Sequence, residues 1–424
     1  MCSNVQSVRV AFLLCGFISV IAQAADLPPD WGGGWTVDPA VVKRMSEGRS
    51  QFNYREELVP SFSLPPLLEL SSGDSVSDSR TWETQRRPEI VRLLAESVYG
   101  HVPEGLERLS MHLLRADDAA MGGAATAKVV EIRMGVAYQE LKMTLKLLLP
   151  NERKKPCPLF LLINNRPPEN IDLSRKVRTG FWPAEAVIAR GYGIAGFQVG
   201  DLDPDQHDEF RNGVHGLFGR SIRSHDWGAL AAWGWGASRA MDYCEADGDI
   251  DASRVALLGH SRGGKAALWA GARDTRFSIV ISNNSGCGGA ALSRRRFGET
   301  VDRINRIFPH WFCGNFERFN GREHQLPLDQ HFLLGAIAPR GLYVTSASQD
   351  LWADPRGEYL AWFHAGEAFE LYGDPPVEVS TPPAPNHPVI RGRRGYHIRE
   401  GGHGLEEYDW ERFMDFAEQL WPNQ

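Results

Sequence analysis

The chain has 424 residues, of which 42% are hydrophobic and 23% charged, with a formal net charge of -7. That length and apolar content suit one large globular domain or two modest ones and exclude a disordered or fibrous chain. The acidic balance requires no large basic patch, so nucleic acid is not expected as a partner.

The first residues read as an export signal. Residues 1–9 carry one Arg and no acid, an apolar stretch runs from Val10 to Ile21, and Ala22-Gln23-Ala24 has the small-x-small form of a cleavage site. Removal of residues 1–24 would leave a secreted or periplasmic protein. The apolar stretch is too short for a membrane anchor, so no stable membrane insertion is expected. The mature chain keeps Cys157, Cys244, Cys287 and Cys313 at long, irregular spacings without a C-x-x-C pair. One or two disulfides, or buried thiols, are expected of them, and a zinc site is not.

Residues 25–80 read as an N-terminal lead-in broken by Pro28, Pro29, Pro60 and Pro65, and residues 81–424 as one catalytic domain packed against it. Trp82 to Tyr99 has helical spacing, with Arg87-Pro88 suited to a first turn. Residues 104–150 alternate as antiparallel strands. Short apolar runs follow at 157–163, 194–198, 255–258, 277–283 and 341–346, separated by helical stretches at 181–190, 226–244, 262–272 and 355–367. This alternation predicts an α/β fold, a mixed and mostly parallel central sheet with helices on both faces. The segment 373–396, rich in Pro, Gly and Arg, reads as an excursion that could wall a site, and 408–421 as a closing helix. The clusters Arg294–Arg296 and Arg391, Arg393, Arg394 are expected on solvated faces, and most of the 13 Trp in the core.

The strongest chemical signal is Leu257-Leu258-Gly259-His260-Ser261-Arg262-Gly263-Gly264-Lys265. An apolar strand runs into Gly-x-Ser-x-Gly, and the helix-forming Ala266-Ala267-Leu268-Trp269-Ala270 follows. This is the strand–turn–helix setting of a nucleophile elbow in the α/β-hydrolase fold. Ser261 is the expected nucleophile, and the exposed amide of Arg262 the expected oxyanion donor. Triad order in that fold places the base late. His403, in Glu400-Gly401-Gly402-His403-Gly404, is favoured over His397 and His387. The acid is open between two positions. Asp350 comes straight off the 341–346 strand, whereas Asp354 precedes Pro355 and has a ready task as a helix cap. Asp350 is favoured.

These blocks, with Asp350-Leu351-Trp352-Ala353-Asp354-Pro355-Arg356-Gly357-Glu358, make the chain resemble the glucuronoyl esterases, carbohydrate esterase family 15, in their bacterial branch. The resemblance covers the mature chain from about Trp82 onward. It implies an α/β-hydrolase with an open site that cleaves esters between 4-O-methyl-glucuronic acid on xylan and lignin alcohols. It further implies that Arg262 holds the substrate carbonyl and oxyanion, and that Lys265, Glu299 and Trp352 bind the sugar. Many members carry a Glu where this chain has Asn284. The implied partners are glucuronoxylan and lignin–carbohydrate esters, with no obligate protein partner. No cofactor or metal is expected, and the 13 His contain no H-E-x-x-H. An acetyl xylan or feruloyl esterase is the alternative enzyme, and a carbohydrate-binding protein on an inherited hydrolase fold the non-enzyme alternative.

Overall fold

A computed structural model of the chain describes residues 27–152, 156–219 and 223–421, so the expected export signal lies outside the described residues. One ten-stranded sheet organises them. Its strands are β1 (Arg108–Ala120), β2 (Ala125–Val136), β3 (Gln139–Pro150), β4 (Cys157–Asn164), β5 (Gly193–Gln198), β6 (Ile250–His260), β7 (Ile279–Asn283), β8 (Gly341–Ala347), β9 (Val389–Arg391) and β10 (Arg394–Arg399). The spatial order is β1-β2-β3-β5-β4-β6-β7-β8-β10-β9. β1, β2, β3 and β5 pair antiparallel in turn, β9 pairs antiparallel with β10, and the centre is parallel.

Side chains of the central strands alternate between two cores, as a pleated strand buried on both faces requires. Leu159, Leu161, Ile163, Val255, Leu257 and Val280 enter one core. Phe160, Leu162, Ala256, Leu258, Ile279 and Ile281 enter the other. The first core is closed by the helices Ala229–Ala246, Arg262–Arg273 and Pro355–Glu370, and the second by Ala184–Ala189 and Glu407–Leu420. Three layers result, the expected arrangement. Of the 13 Trp, all but Trp352 are buried.

Several local expectations change. The Trp82–Tyr99 helix begins earlier, at Ser79, because the Asp78 carboxylate accepts the Thr81 amide. Segment 373–396 lines no part of the cleft that contains Ser261. It packs on the lead-in instead: the Trp35 amide donates to Pro382 O, the Ala384 amide to Trp31 O, and Arg391 lies 5.0 Å over the Trp31 ring. The arginine clusters are not solvated faces throughout. Arg294, Arg295 and Arg394 are buried. Arg294 and Arg295 are paired with Asp329 and Asp354, and Arg394 lies against the Trp362 and Phe369 rings. Cys244, Cys287 and Cys313 are buried thiols, and burial raises all three.

Candidate active site

The carboxyl ends of neighbouring parallel strands converge on one cleft. Register aligns His260 with Asn283 and Asn283 with Thr345, so Ser261, Asn284 and Asp350 leave adjacent strand ends, and His403 follows β10. Ser261 has φ 57 and ψ -124, a strained conformation for a residue with a side chain. It persists because the Ser261 amide donates to Asn283 O (2.8 Å), and its carbonyl accepts from Gly264 N (2.9 Å) and Lys265 N (3.2 Å). The turn is so tight that a Cβ on Gly259 would lie 2.0 Å from Gly263 O. Only glycine fits there.

His403 Nδ1 lies 2.6 Å from Asp350 Oδ2, and the Asn284 Nδ2 amide reaches the same oxygen at 3.4 Å. The Asp350 side chain is 5% exposed and that of His403 37%, so the acid is shielded while the ring meets solvent. Asp354, the competing acid, is committed elsewhere. Its Oδ1 accepts the Gly357 amide (2.9 Å), capping the Pro355–Glu370 helix, and its Oδ2 accepts from Arg295 Nε (2.8 Å). The rival histidines are also placed elsewhere. His397 is fully buried between Asp409 (2.8 Å) and the Tyr343 hydroxyl (3.0 Å), and His387 bonds Pro385 O.

Ser261, Arg262, Lys265, Glu299, Asp350, Trp352 and His403 all line a cleft of about 680 Å³. Lys265 sits one helical turn beyond Ser261 and is almost fully buried. Its Nζ donates to Ser285 O (2.5 Å) and Cys287 O (2.7 Å) and stands 3.9 Å from Glu299 Oε2. An ammonium has three donors, so one remains for a ligand. Burial lowers Lys265 and raises Glu299, and each charge opposes the shift of the other. The Glu299 amide donates to Trp352 O (3.0 Å), and a Cβ on Gly298 would lie 2.4 Å from Leu351 O, so the two loops meet closely.

Sequence reasoning missed three features here: two walls of the cleft and a carboxylate, outside its lining, that pairs with Arg262. The lead-in forms one wall through Met45, Arg49 and Phe52; Phe52 packs edge-on against Trp352 at 4.9 Å, and Arg49 lies 5.4 Å over the same ring. Phe308 and Trp311 form an aromatic wall beside Arg262. Third, Asp205 forms an ion pair with Arg262. No local pattern marks Arg49 or Phe52. Asp205 lies in the acid-rich run Asp201-Leu202-Asp203-Pro204-Asp205 directly after β5, a signal that could have been read. A hollow of about 760 Å³ between the Pro39–Ser46 helix and Arg356 is lined by none of Ser261, His403 and Asp350. Among the described residues no group of His, Cys, Asp and Glu is arranged to hold a metal, and no helix is long and apolar enough to cross a membrane.

The family model for glucuronyl esterases of fungi matches residues 132–373. Carbohydrate esterase MZ0003 of an unknown prokaryotic organism is 40% identical over 415 residues, covering 91% of this chain and 94% of that protein. The glucuronoyl esterase of Solibacter usitatus is 40% identical, with a TM-score of 0.81, over 86% of this chain and 100% of that one. The 4-O-methyl-glucuronoyl methylesterase of Podospora anserina is 32% identical over 235 residues, 53% of this chain and 48% of that protein. With the fold and these matches together, the chain belongs to the glucuronoyl esterases, carbohydrate esterase family 15.

Proposed function

We propose that this protein hydrolyses esters joining 4-O-methyl-glucuronic acid side groups of xylan to lignin alcohols, through a Ser261–His403–Asp350 acyl-enzyme mechanism. The observation that carries the reading is one cleft holding a strained Ser261, the 2.6 Å His403–Asp350 contact and the buried Lys265–Glu299 pair. In this reading Ser261 Oγ attacks the ester carbonyl as His403 Nε2 takes its proton. Asp350 holds the Nδ1–H tautomer and balances the imidazolium. The Arg262 amide and guanidinium receive the developing oxyanion. His403 returns the proton to the departing alcohol, and water repeats the sequence to release the uronic acid.

The remaining donor of Lys265 and the Glu299 carboxylate bind sugar hydroxyls, and Trp352, against Phe52, backs the ring. We read residues 1–24 as an export signal, 25–80 as a lead-in to the catalytic domain 81–424, and the mature protein as secreted or periplasmic. Turnover of benzyl glucuronate should exceed that of galacturonate, acetate and ferulate esters. Faster turnover of acetate or ferulate esters would replace this reading with an acetyl xylan or feruloyl esterase.

A further inference from the structure

We infer that Asp205 is a positioning residue of this site, fixing the Arg262 guanidinium in place for the reaction by a two-sided clamp with Trp311. The inference rests on the oxyanion role proposed for Arg262. Arginine is a long side chain, and a donor that must search for its acceptor stabilises charge poorly compared with one held ready. Here the Arg262 guanidinium is gripped at its edge and at its face. At the edge, Nη1 donates to Asp205 Oδ2. At the face, the Trp311 and Phe308 rings lie 4.8 and 5.5 Å from the guanidinium carbon.

The clamp is itself anchored. Asp205 Oδ1 accepts from Trp311 Nε1 at 2.7 Å and from His310 Nε2 at 3.1 Å. One carboxylate oxygen therefore belongs to segment 308–311 and the other to Arg262. That segment is fastened to the core, since the Ala229 amide donates to His310 O (2.8 Å) and the Leu230 amide to Trp311 O (3.2 Å). Phe308 stacks on Trp311 at 3.7 Å with the planes 3° apart. Against the upward push of burial, the His310 and Trp311 donors and the Arg262 charge hold Asp205 at about 2, so the clamp stays charged through the working range. Arg262 Nε is buried without a protein acceptor among the described residues, so the grip leaves this donor uncommitted. The loop after β5 thereby sets the geometry of a residue that follows β6.

A double-mutant cycle tests this. Misplacing a catalytic donor by about 1 Å costs up to ~100-fold. Asp205→Asn should lower kcat on benzyl glucuronate by roughly 10- to 100-fold, while KM changes less than about threefold. In an Arg262→Ala background the same substitution should cost less than about twofold, because there is nothing left to position. Asp205→Glu should restore part of the loss. Trp311→Phe, which keeps the ring and removes its donor to Asp205, should lower kcat in the same direction and serves if Asp205→Asn fails to fold. Equal losses in the native and Arg262→Ala backgrounds would overturn the inference, as would wild-type kcat in Asp205→Asn beside an impaired Arg262→Ala. An Arg262→Ala variant with wild-type kcat would instead remove the oxyanion role of Arg262, and this inference with it.

Discussion

Replacing Asp350 with Asn tests the acid of the site with almost no change of shape. In the structure Asp350 Oδ2 meets His403 Nδ1 at 2.6 Å, and among the described residues its one other side-chain hydrogen-bond partner is the Asn284 amide at 3.4 Å. Two losses follow. The first is charge: unit charges about 4 Å apart at an effective dielectric near 20 attract by roughly 4 kcal/mol. At ~1.4 kcal/mol per decade this is about 10³ in rate. Solvent at the exposed side of His403 reduces that figure. The second loss raises it: the new amide can donate to Nδ1 and so favour the tautomer that cannot accept the Ser261 proton. We therefore expect kcat to fall by about 10²–10⁴ with the fold retained. The assay is steady-state hydrolysis of benzyl glucuronate, with circular dichroism on the same samples. Asn284→Glu in the Asp350→Asn background should recover part of the rate, since position 284 already borders the acid. Near wild-type kcat in Asp350→Asn, with activity abolished in a folded Asp354→Asn, would refute the assignment.

Asp354→Asn should instead lower stability by about 1–3 kcal/mol, because Arg295 loses one charged hydrogen-bond partner but keeps Glu56, with modest loss of kcat in the folded fraction; urea unfolding measures it. Trp352→Ala and Lys265→Ala should reduce kcat/KM on a glucuronate ester by at least about tenfold more than on a small acetyl ester, because the lost contacts need a sugar; parallel kinetics on both substrates decides. Burial raises Glu358 to about 8, against hydrogen bonds from the Gly286 amide and the Ser346 hydroxyl. A raised carboxyl stabilises the fold fully below its ordinary 4.5 and loses that contribution as pH climbs toward 8. Wild-type stability should therefore fall relative to Glu358→Gln between about pH 5 and about pH 9, read from urea midpoints, and parallel curves would contradict the assignment.

The parts of this protein that could be read from sequence are those whose cause is local. The Leu257–Ala270 run carries strand, turn and helix in consecutive residues, so its elbow was legible. The placing of Asp350 beside His403 was legible because an acid directly after an apolar strand has few places to go. Arg295 was misread because its burial depends on Asp354 and Glu56, both distant in sequence. β9 and the first half of β10 were hidden inside a supposed excursion, since Arg394, His397 and Arg399 make β10 a polar-looking strand. Their burial is sustained by Asp409 for His397 and Arg399, and by aromatic faces for Arg394. The lead-in wall was illegible for the same reason: Arg49 and Phe52 reach the site only through tertiary packing.

That wall has a consequence for how such an enzyme can diversify. Met45, Arg49 and Phe52 shape the cleft, yet they belong to no strand of the sheet and lie outside the stretch 132–373 matched by the family model. Ser261, Asp350 and His403 follow strand ends, whereas this rim is a separate piece of chain laid across them. Exchanging the rim alone would redraw which esters enter without disturbing the strand ends beneath, so grafts between relatives should transfer substrate preference most cleanly when cut just before Asp78, which caps the next helix.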